Sequence, residues 1–239
     1  MARNMKAWTL AIAAFGLALS GCAGPQETAT TSGGMTDEEI ENLVKRSWQY
    51  VAMYNVNNKG AMQYGGWNIV DVDTELKDHT LKVIARPNND SLYITCMLDL
   101  RSEPVILDMP AFDSKYVSLM VTGYDHYVNI PMSTRQGDFD QPEKMLFFSD
   151  RTEGYEKGEQ VEGIDRYFEA TGDFLSAVFR VMPHANEPER FERIKEQMQS
   201  VELLTLSEFR GETPGPIDEP KMPPVGTRDT DTFGNNLLE

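Results

Sequence analysis

Hydrophobic and polar residues alternate along residues 91–100. Every even-numbered position there is apolar, while the odd-numbered positions are mixed and more polar. Because successive side chains of a β-strand point to opposite faces, this period of two predicts a strand with one buried face. Cys96 falls on the buried face, where a thiol behaves as a small hydrophobe, so we expect a structural cysteine rather than a nucleophile. Tyr93 and Asp99 point to the opposite face.

Strand signals continue from residue 103 to residue 205. The runs are rich in β-branched and aromatic residues, which favour strands, and turn residues separate them. In the longest run, Gly123 near the middle of a single strand predicts a β-bulge or a close approach of the backbone. Several such strands in succession predict a β-sandwich or a barrel. The predicted strands are EPVILDM, YVSLMVTGYDHYVNI, KMLFFSD, GIDRYFEA, FLSAVFRVM and ELLTL.

Two segments show the period of an amphipathic helix instead. In the first, Thr36 and Glu39 form a capping-box pattern, and we expect a helix over about residues 37–55. In the second, NEPERFERIKEQMQSV, Asn186 is the expected cap and Pro188 stands in the first turn. The residues expected to pack on the sheets are Ile40, Leu43, Val44, Trp48 and Val51 in the first helix, and Phe191, Ile194, Met198 and Val201 in the second.

The N-terminal segment resembles a bacterial lipoprotein signal. Arg3 and Lys6 precede the apolar run AWTLAIAAFGLALSG, which is too short to span a bilayer comfortably, and Cys22 follows. We therefore predict a signal peptide over residues 1–21, lipidation of Cys22 and a flexible tether over residues 22–35. Ala23, where an Asp would retain the protein at the inner membrane, favours the outer membrane, facing the periplasm. An ordinary signal peptide, or a buried helix that contains Cys22, is the alternative.

Charge and composition limit the domain organisation and the partners. The 239-residue chain carries a formal net charge of −16, which repels nucleic acid and anionic lipid surfaces. One domain over residues 36–210 accounts for the predicted strands and helices. Residues 211–239 are rich in proline, as linkers are, and end abruptly after TFGNNLLE, which resembles the beginning of another structured element.

The stretch RPNNDSLY, followed by the strand ending in LDL and by EPVIL, resembles the domain-of-unknown-function family numbered 1254. The segments YVSLMVTGYDHYVNI and FRVMP also stand where that family has strands. The resemblance implies an immunoglobulin-like β-sandwich with an N-terminal helix and one further helix, and no established activity. Many members continue into a jelly-roll-like domain numbered 1214, so the resemblance implies a separate or missing C-terminal partner domain.

Motifs for metal binding or covalent catalysis do not occur in the sequence. No second histidine and no cysteine stands at helical ligand spacing from His79, His126 or His184, and the paired aspartates do not continue into a calcium loop. There is also no Gly-x-Ser-x-Gly elbow and no Gly-rich phosphate loop. We therefore predict no metal and no cofactor.

One polar cleft remains as the candidate site. An arginine there can hold a carboxylate or phosphate with two hydrogen bonds, and an aspartate paired with His126 can move protons. Arg180 lies among apolar neighbours, where a guanidinium needs a partner. The candidate ligand-binding residues are Arg86, Asn88, Asn89, Asp90, Tyr93, Tyr124 and Arg180, and the candidate catalytic residues are Asp90, Asp99 and His126.

Each of these residues also has a structural interpretation. Asn and Asp in a turn bond their own backbone, Arg86 can pair with Asp90, and Arg180 can pair with Asp99. The leading hypothesis is a lipid-anchored envelope protein that binds a small ligand or a second domain in this cleft. The alternatives are an envelope hydrolase or isomerase that uses an Asp/His pair, and a purely structural lipoprotein.

Overall fold

A computed structural model describes residues 35–81 and 88–215 of the chain. The described residues fall into two units, residues 35–43, which contain the start of the first helix, and residues 44–81 with 88–215. The elements of the described part follow in the order α1 (Asp37–Gln63), β1 (Val70–Asp73), β2 (Leu92–Asp99), β3 (Val105–Met109), β4 (Val117–Gly123), β5 (Val128–Ser133), a 3-10 turn (Thr134–Gln136), β6 (Glu143–Ser149), β7 (Arg166–Ala170), β8 (Phe174–Val181), α2 (Pro188–Gln199), β9 (Glu202–Thr205) and α3 (Leu206–Phe209).

The described strands form two sheets that pack face to face. The five-stranded sheet has the order β1-β2-β8-β4-β5 and is antiparallel throughout. The four-stranded sheet has the order β7-β6-β3-β9, and its β6–β7 pair is parallel. The chain passes from one sheet to the other between β2 and β3 and again between β3 and β4. The prediction of a mainly β fold built from two sheets with added helices is confirmed.

The inner faces of the two sheets share one hydrophobic core. The even-numbered residues of β2, including Cys96, are fully buried in it, as the alternation predicts. Leu107 and Phe147 enter the core from the four-stranded sheet, and Ile194 and Met198 of α2 close one side of it. Burial of these side chains is the main source of the fold's stability, since each contributes roughly 1.5–3 kcal/mol.

The outer face of each sheet is covered in part by other elements. On the four-stranded sheet, Ile106 and Leu146 pack beneath the loop residue Val161 and the start of α3 at Leu206. On the five-stranded sheet, Met97 packs beneath α1 and the segment that follows it. Gly60 allows α1 to approach closely, because a Cβ there would lie 3.3 Å from Cε of Met97. The five-stranded sheet is therefore buried on both faces in the region that α1 covers.

The predicted long strand over YVSLMVTGYDHYVNI is wrong, because it is a hairpin of β4 and β5. β4 ends at Gly123, where a Cβ would lie only 2.7 Å from Oδ1 of Asn129. His126 adopts a left-handed conformation in the turn, with a φ of 67°. The predicted bulge exists, but the register shift falls between Val121 and Thr122. Tyr124 and His126 therefore lie in the turn and do not share the face of a strand.

The helices differ from their predicted packing. The capping box of α1 is present, since the amide of Glu39 donates to Oγ1 of Thr36 and the amide of Thr36 donates to Oε2 of Glu39. However, Leu43 and Trp48 are 55% and 37% exposed, so the predicted stripe is not the buried face. The cap of α2 is Glu187 rather than Asn186. The residues that α1 does bury are Tyr54, Asn57, Asn58 and Ala61.

Strand β1 has no counterpart among the predicted strands. Its sequence VDVD is short and half acidic, and all four residues are only partly buried. It forms because its backbone pairs with β2 in the register that places Asp73 opposite Tyr93. A short edge strand of this kind depends on its neighbour more than on its own propensity.

We expect Cys96 to be unreactive in the folded protein. Burial raises the pKa of its thiol to about 12, so the reactive thiolate is absent near neutral pH. In the full chain carrying Cys22→Ser, a thiol-specific chromogenic reagent should label no cysteine until denaturant unfolds the domain. Rapid labelling of Cys96 under native conditions would contradict the buried position.

Candidate functional site

The residues predicted for a cleft lie on the outer face of the five-stranded sheet, but not together. The register places Tyr93 opposite Arg180, and Arg180 opposite Ser118. Asp99 lies on the same face of β2, six residues beyond Tyr93 and therefore roughly 20 Å away. We call the region around Tyr93, Arg180 and Ser118 the open half of this face. The region around Met97 and Asp99, beneath α1, is the covered half.

The open half holds a shallow cavity of about 370 Å³. Arg180 and Ser118 supply polar groups at one end of it, and the rest of the lining is largely apolar. The side chain of Arg180 is exposed and has no hydrogen-bond or ion-pair partner among residues 35–81 and 88–215. The other lining residues are Tyr116, Leu119, Met120, Val128, Pro131, Met132, Ser133, Gln136 and Val178.

The covered half is organised around a buried ion pair. Asp99 is 5% exposed, and both of its carboxylate oxygens accept from Arg101, at 2.9 Å from Nε and 2.8 Å from Nη2. The side chain of Asn68 brackets the backbone of Asp99, accepting from its amide at 2.8 Å and donating to its carbonyl at 3.0 Å. The pKa of Arg101 is raised, chiefly by its hydrogen bonds to Asp99. Asp99 is thus a structural carboxylate, and its predicted pairing with Arg180 does not occur.

Aromatic rings surround that ion pair. The guanidinium of Arg101 lies 4.9 Å from the ring centroid of Phe174, and Tyr124 stacks on the same ring at 5.6 Å. Tyr54 of α1 meets both rings edge-on, at 5.6 Å from Tyr124 and 5.5 Å from Phe174. Burial raises the pKa of Tyr54 to about 12 and raises that of Tyr124 as well. Both phenols are therefore neutral near neutral pH.

His126 is engaged away from either candidate aspartate. Its Nε2 lies 2.9 Å from the backbone carbonyl of Gln49 in α1, so the imidazole donates there. This contact fastens the β4–β5 turn to the helix. The proton-transfer pair predicted between His126 and Asp99 finds no support in this geometry, because the carboxylate is held by Arg101.

The polar stretch before β2 is a turn in its described part. Oδ1 of Asn88 accepts from the amide of Asp90 at 3.1 Å, and Oδ1 of Asp90 accepts from the hydroxyl of Ser91. Asn89 and Asp90 are exposed. Arg86 lies outside the described residues. These bonds are those of the structural interpretation, in which Asn and Asp side chains bond their own backbone.

The structure thus unites Tyr93 with Arg180 and, separately, Asp99 with Tyr124. The residues of the covered half that the sequence patterns did not anticipate include Tyr54, Asn57 and Arg101. Arg101 could have been paired with Asp99 from their separation of two residues, since the amide and side chain of Arg101 both bond that carboxylate. Tyr54 and Asn57 gave no such signal, because only the docking of α1 brings them to the sheet.

Among the described residues, no group of three or more His, Cys, Asp or Glu side chains is placed to hold a metal ion. A surface cavity of about 300 Å³ is lined by four acidic residues, Asp138, Asp140, Glu143 and Asp165. Asp138 pairs there with Arg166 at 3.0 Å, and Asp165 accepts from the amide of Lys144. These two acids are therefore engaged in contacts of the fold.

A family model described as a protein of unknown function, DUF1254, matches residues 68–203. The chain belongs to the DUF1254 family. The matched range contains both halves of the outer face from Asn68 onward, including Arg180. It does not contain Tyr54 and Asn57 of α1. No curated protein matches this DUF1254 chain.

Two solved structures resemble the DUF1254 chain. The VPA0106 protein from Vibrio parahaemolyticus matches with a TM-score of 0.58 and 20% identity, over 84% of this chain and 46% of its own. An uncharacterized protein from Burkholderia cenocepacia matches with a TM-score of 0.38 and 10% identity, over 84% of this chain and 55% of its own. The Vibrio protein shares the fold, and the DUF1254 chain spans less than half of its length.

Breaking the ion pair of the covered half should destabilise the DUF1254 chain. Arg101→Gln leaves the Asp99 carboxylate buried without its partner, and we expect a loss of about 3 kcal/mol in the free energy of unfolding. Arg210→Gln is the matched control, because the pair of Arg210 with Glu159 is more exposed and should change stability by less than about 0.5 kcal/mol. Denaturant titration measures both. Equal effects would mean that the Asp99–Arg101 pair is not buried as described.

Proposed function

We propose that this protein is a lipid-anchored module of the cell envelope that binds a small amphipathic anion on the open half of the five-stranded sheet. The observation that carries the proposal is Arg180. It is an exposed cation at the end of a largely apolar cavity, and no carboxylate of the described residues neutralises it. Arg101 and Arg166 show the contrast, since each is paired with an aspartate.

The chemistry of the cavity defines the ligand class. A guanidinium presents a planar fork of donors that fits a carboxylate or a phosphate with two parallel hydrogen bonds. The neighbouring Met120, Val178 and Pro131 offer apolar surface for a short hydrocarbon or ring. The volume of about 370 Å³ is near the lower end for sites of small molecules, which begin at about 300 Å³. A free carboxylate and a phosphate ester share this chemistry.

Anchoring in the envelope rests on the sequence around Cys22, which lies outside the described residues. Acyl chains on one cysteine bind a membrane more stably as the number of buried methylenes increases. No helix in the described ranges is long and apolar enough to cross a membrane. Outer-membrane location and a separate jelly-roll partner domain belong to the same proposal and rest on the sequence resemblances alone.

An enzyme that uses an Asp/His pair is less well supported than binding. Both oxygens of Asp99 bond Arg101, and Nε2 of His126 bonds the carbonyl of Gln49. Asp90 is an exposed turn residue whose side chain bonds Ser91. A general base must reach the proton that it abstracts, and none of these groups is presented to a shared cavity.

Binding should depend on Arg180. Isothermal titration of the full chain carrying Cys22→Ser, which needs no detergent, uses decanoate and decyl phosphate as probes and decanol as the uncharged comparison. We expect both anions to bind and decanol to bind much more weakly. Arg180→Gln should weaken binding of the anions by about 10-fold or more, because a charge-assisted bidentate contact is lost.

Arg193→Gln is the control, since it removes the same charge from the exposed surface of α2. It should leave the affinity within about twofold. Equal binding by the wild-type and Arg180→Gln proteins, or no binding of either anion, would rule out the anion site. A comparison of the two anions distinguishes a carboxylate from a phosphate ligand.

Lipidation should depend on Cys22. In bacteria fed labelled palmitate, the wild-type protein should carry the label and partition with membranes. The Cys22→Ser variant should lack the label. Cys96→Ala is the control, because the other cysteine is buried in the core. An unlabelled wild-type protein would contradict the lipid anchor.

A further inference from the structure

Within residues 35–81 and 88–215, three side-chain polar atoms lie buried without a hydrogen-bond partner between α1 and the covered half of the sheet. They are the hydroxyls of Tyr54 and Tyr124 and Nδ2 of Asn57. The residues are 6%, 4% and 6% exposed, so bulk water does not reach these atoms. Leaving a buried polar group unpaired costs free energy, and most such groups in folded proteins are paired.

The three atoms form one cluster. The rings of Tyr54 and Tyr124 are 5.6 Å apart. Asn57 follows Tyr54 by three residues on α1 and therefore lies on the same side of the helix. Burial raises the pKa of the Tyr124 phenol, and hydrogen bonding from the Asn57 carboxamide lowers it in part, so the carboxamide approaches that hydroxyl. The approach falls short of full hydrogen-bond geometry, and both atoms stay unsatisfied.

Other partly or fully buried aromatic side chains in the described ranges do have hydrogen-bond partners. The hydroxyl of Tyr155 donates to the carbonyl of Glu159 at 2.9 Å, and that of Tyr167 donates to the carbonyl of Val161 at 3.0 Å. In the same interface as the cluster, Nε1 of Trp67 donates to Oδ1 of Asn58 at 3.2 Å. Among the described side chains, the unpaired buried atoms are therefore concentrated at one place.

We propose that this interface is a binding site for a small neutral molecule with an oxygen acceptor and an aromatic or apolar body. Nδ2 of Asn57 can only donate, so the ligand must supply an acceptor, and the two phenols can donate to it or accept from it. A neutral ligand is favoured because Asp99 and Arg101 already neutralise each other at the edge of the site. Tyr50, Trp67 and Phe174 supply further aromatic walls.

Entry of the ligand requires α1 to move away from the sheet. The rings of Tyr54, Tyr124 and Phe174 are in mutual contact, so the site is closed around its own side chains. Within the cluster, α1 adds polar groups that lose water on closure and gain no partner. A ligand that satisfies them would make closure over it more favourable than closure without it.

The experiment compares melting temperatures of the full chain carrying Cys22→Ser with and without benzamide. Without ligand, the Tyr54→Phe/Tyr124→Phe variant should melt higher than its parent by roughly 3 °C or more, because two unpaired hydroxyls are removed. Tyr155→Phe is the matched control and should melt lower, because its hydroxyl has a partner. Benzamide should raise the melting temperature of the parent and have much less effect on the double variant.

Two results would overturn the site. A double variant that melts lower, as Tyr155→Phe does, would show that the hydroxyls are already satisfied, by structural water only. A parent that benzamide does not stabilise, or that it stabilises no more than the double variant, would exclude this ligand class. Benzoate separates this site from the anion site, because its binding should depend on Arg180 and not on the two tyrosines.

Discussion

Strand β2 is buried on one face along its whole length and on both faces at one end. Leu92, Ile94 and Cys96 alternate with the half-buried Tyr93 and Thr95, but from Cys96 onward every residue of the strand is buried. This change occurs where α1 begins to cover the five-stranded sheet. This change in burial divides the outer face of the sheet into its two halves. One half is sealed, so its polar groups lose their water and need partners inside the protein or in a bound molecule, while the other half remains accessible and keeps its cation unpaired.

The sealed end explains the arrangement around Asp99. A carboxylate at the end of a strand is normally solvated, and here the docking of α1 and of the segment after it removes that water. Arg101, two residues further on, replaces the lost water with two hydrogen bonds to the carboxylate, and Asn68 bonds the backbone of Asp99. The guanidinium then lies against Phe174, which belongs to the aromatic cluster. Ion pair, amide bracket and rings are therefore one packed unit.

Local periodicity predicted the inner face of the sandwich well. The even positions of β2 and the apolar face of α2 are buried as expected, because alternation and helical spacing report directly on a single core. The outer face was not accessible to the same reasoning. Met97 and Asp99 occupy positions that alternate with the core, and only the tertiary placement of α1 makes them buried. Tyr124 was assigned to a strand face because Gly123 can mark a bulge or a turn equally well.

The candidate site shows the same limit. The register that places Tyr93 opposite Arg180 depends on which strands are neighbours, and five strands separate β8 from β2 along the chain. Sequence patterns found both residues as polar positions in apolar surroundings and assigned them to one cleft with Asp99 and His126. The structure separates Asp99 from Tyr93 and Arg180, because the step of six residues along β2 from Tyr93 to Asp99 spans roughly 20 Å. The sequence patterns therefore identified residues of the outer face, but which of them lie together follows only from the order of the strands in the sheet.

The net charge of −16 does not exclude an anion site at Arg180. At physiological ionic strength, interactions between exposed charges weaken over about 8 Å, so distant carboxylates contribute little to the potential inside the open half. The described lining of the cavity in the open half contains no acidic side chain, and its cationic residue is Arg180. The acidic surface slows the approach of an anion, but the local contact decides whether it stays bound. The same reasoning accounts for the difference between the two halves: where α1 excludes water, charge must be paired and a neutral molecule is favoured, and where the sheet is open, a single unpaired cation can be kept.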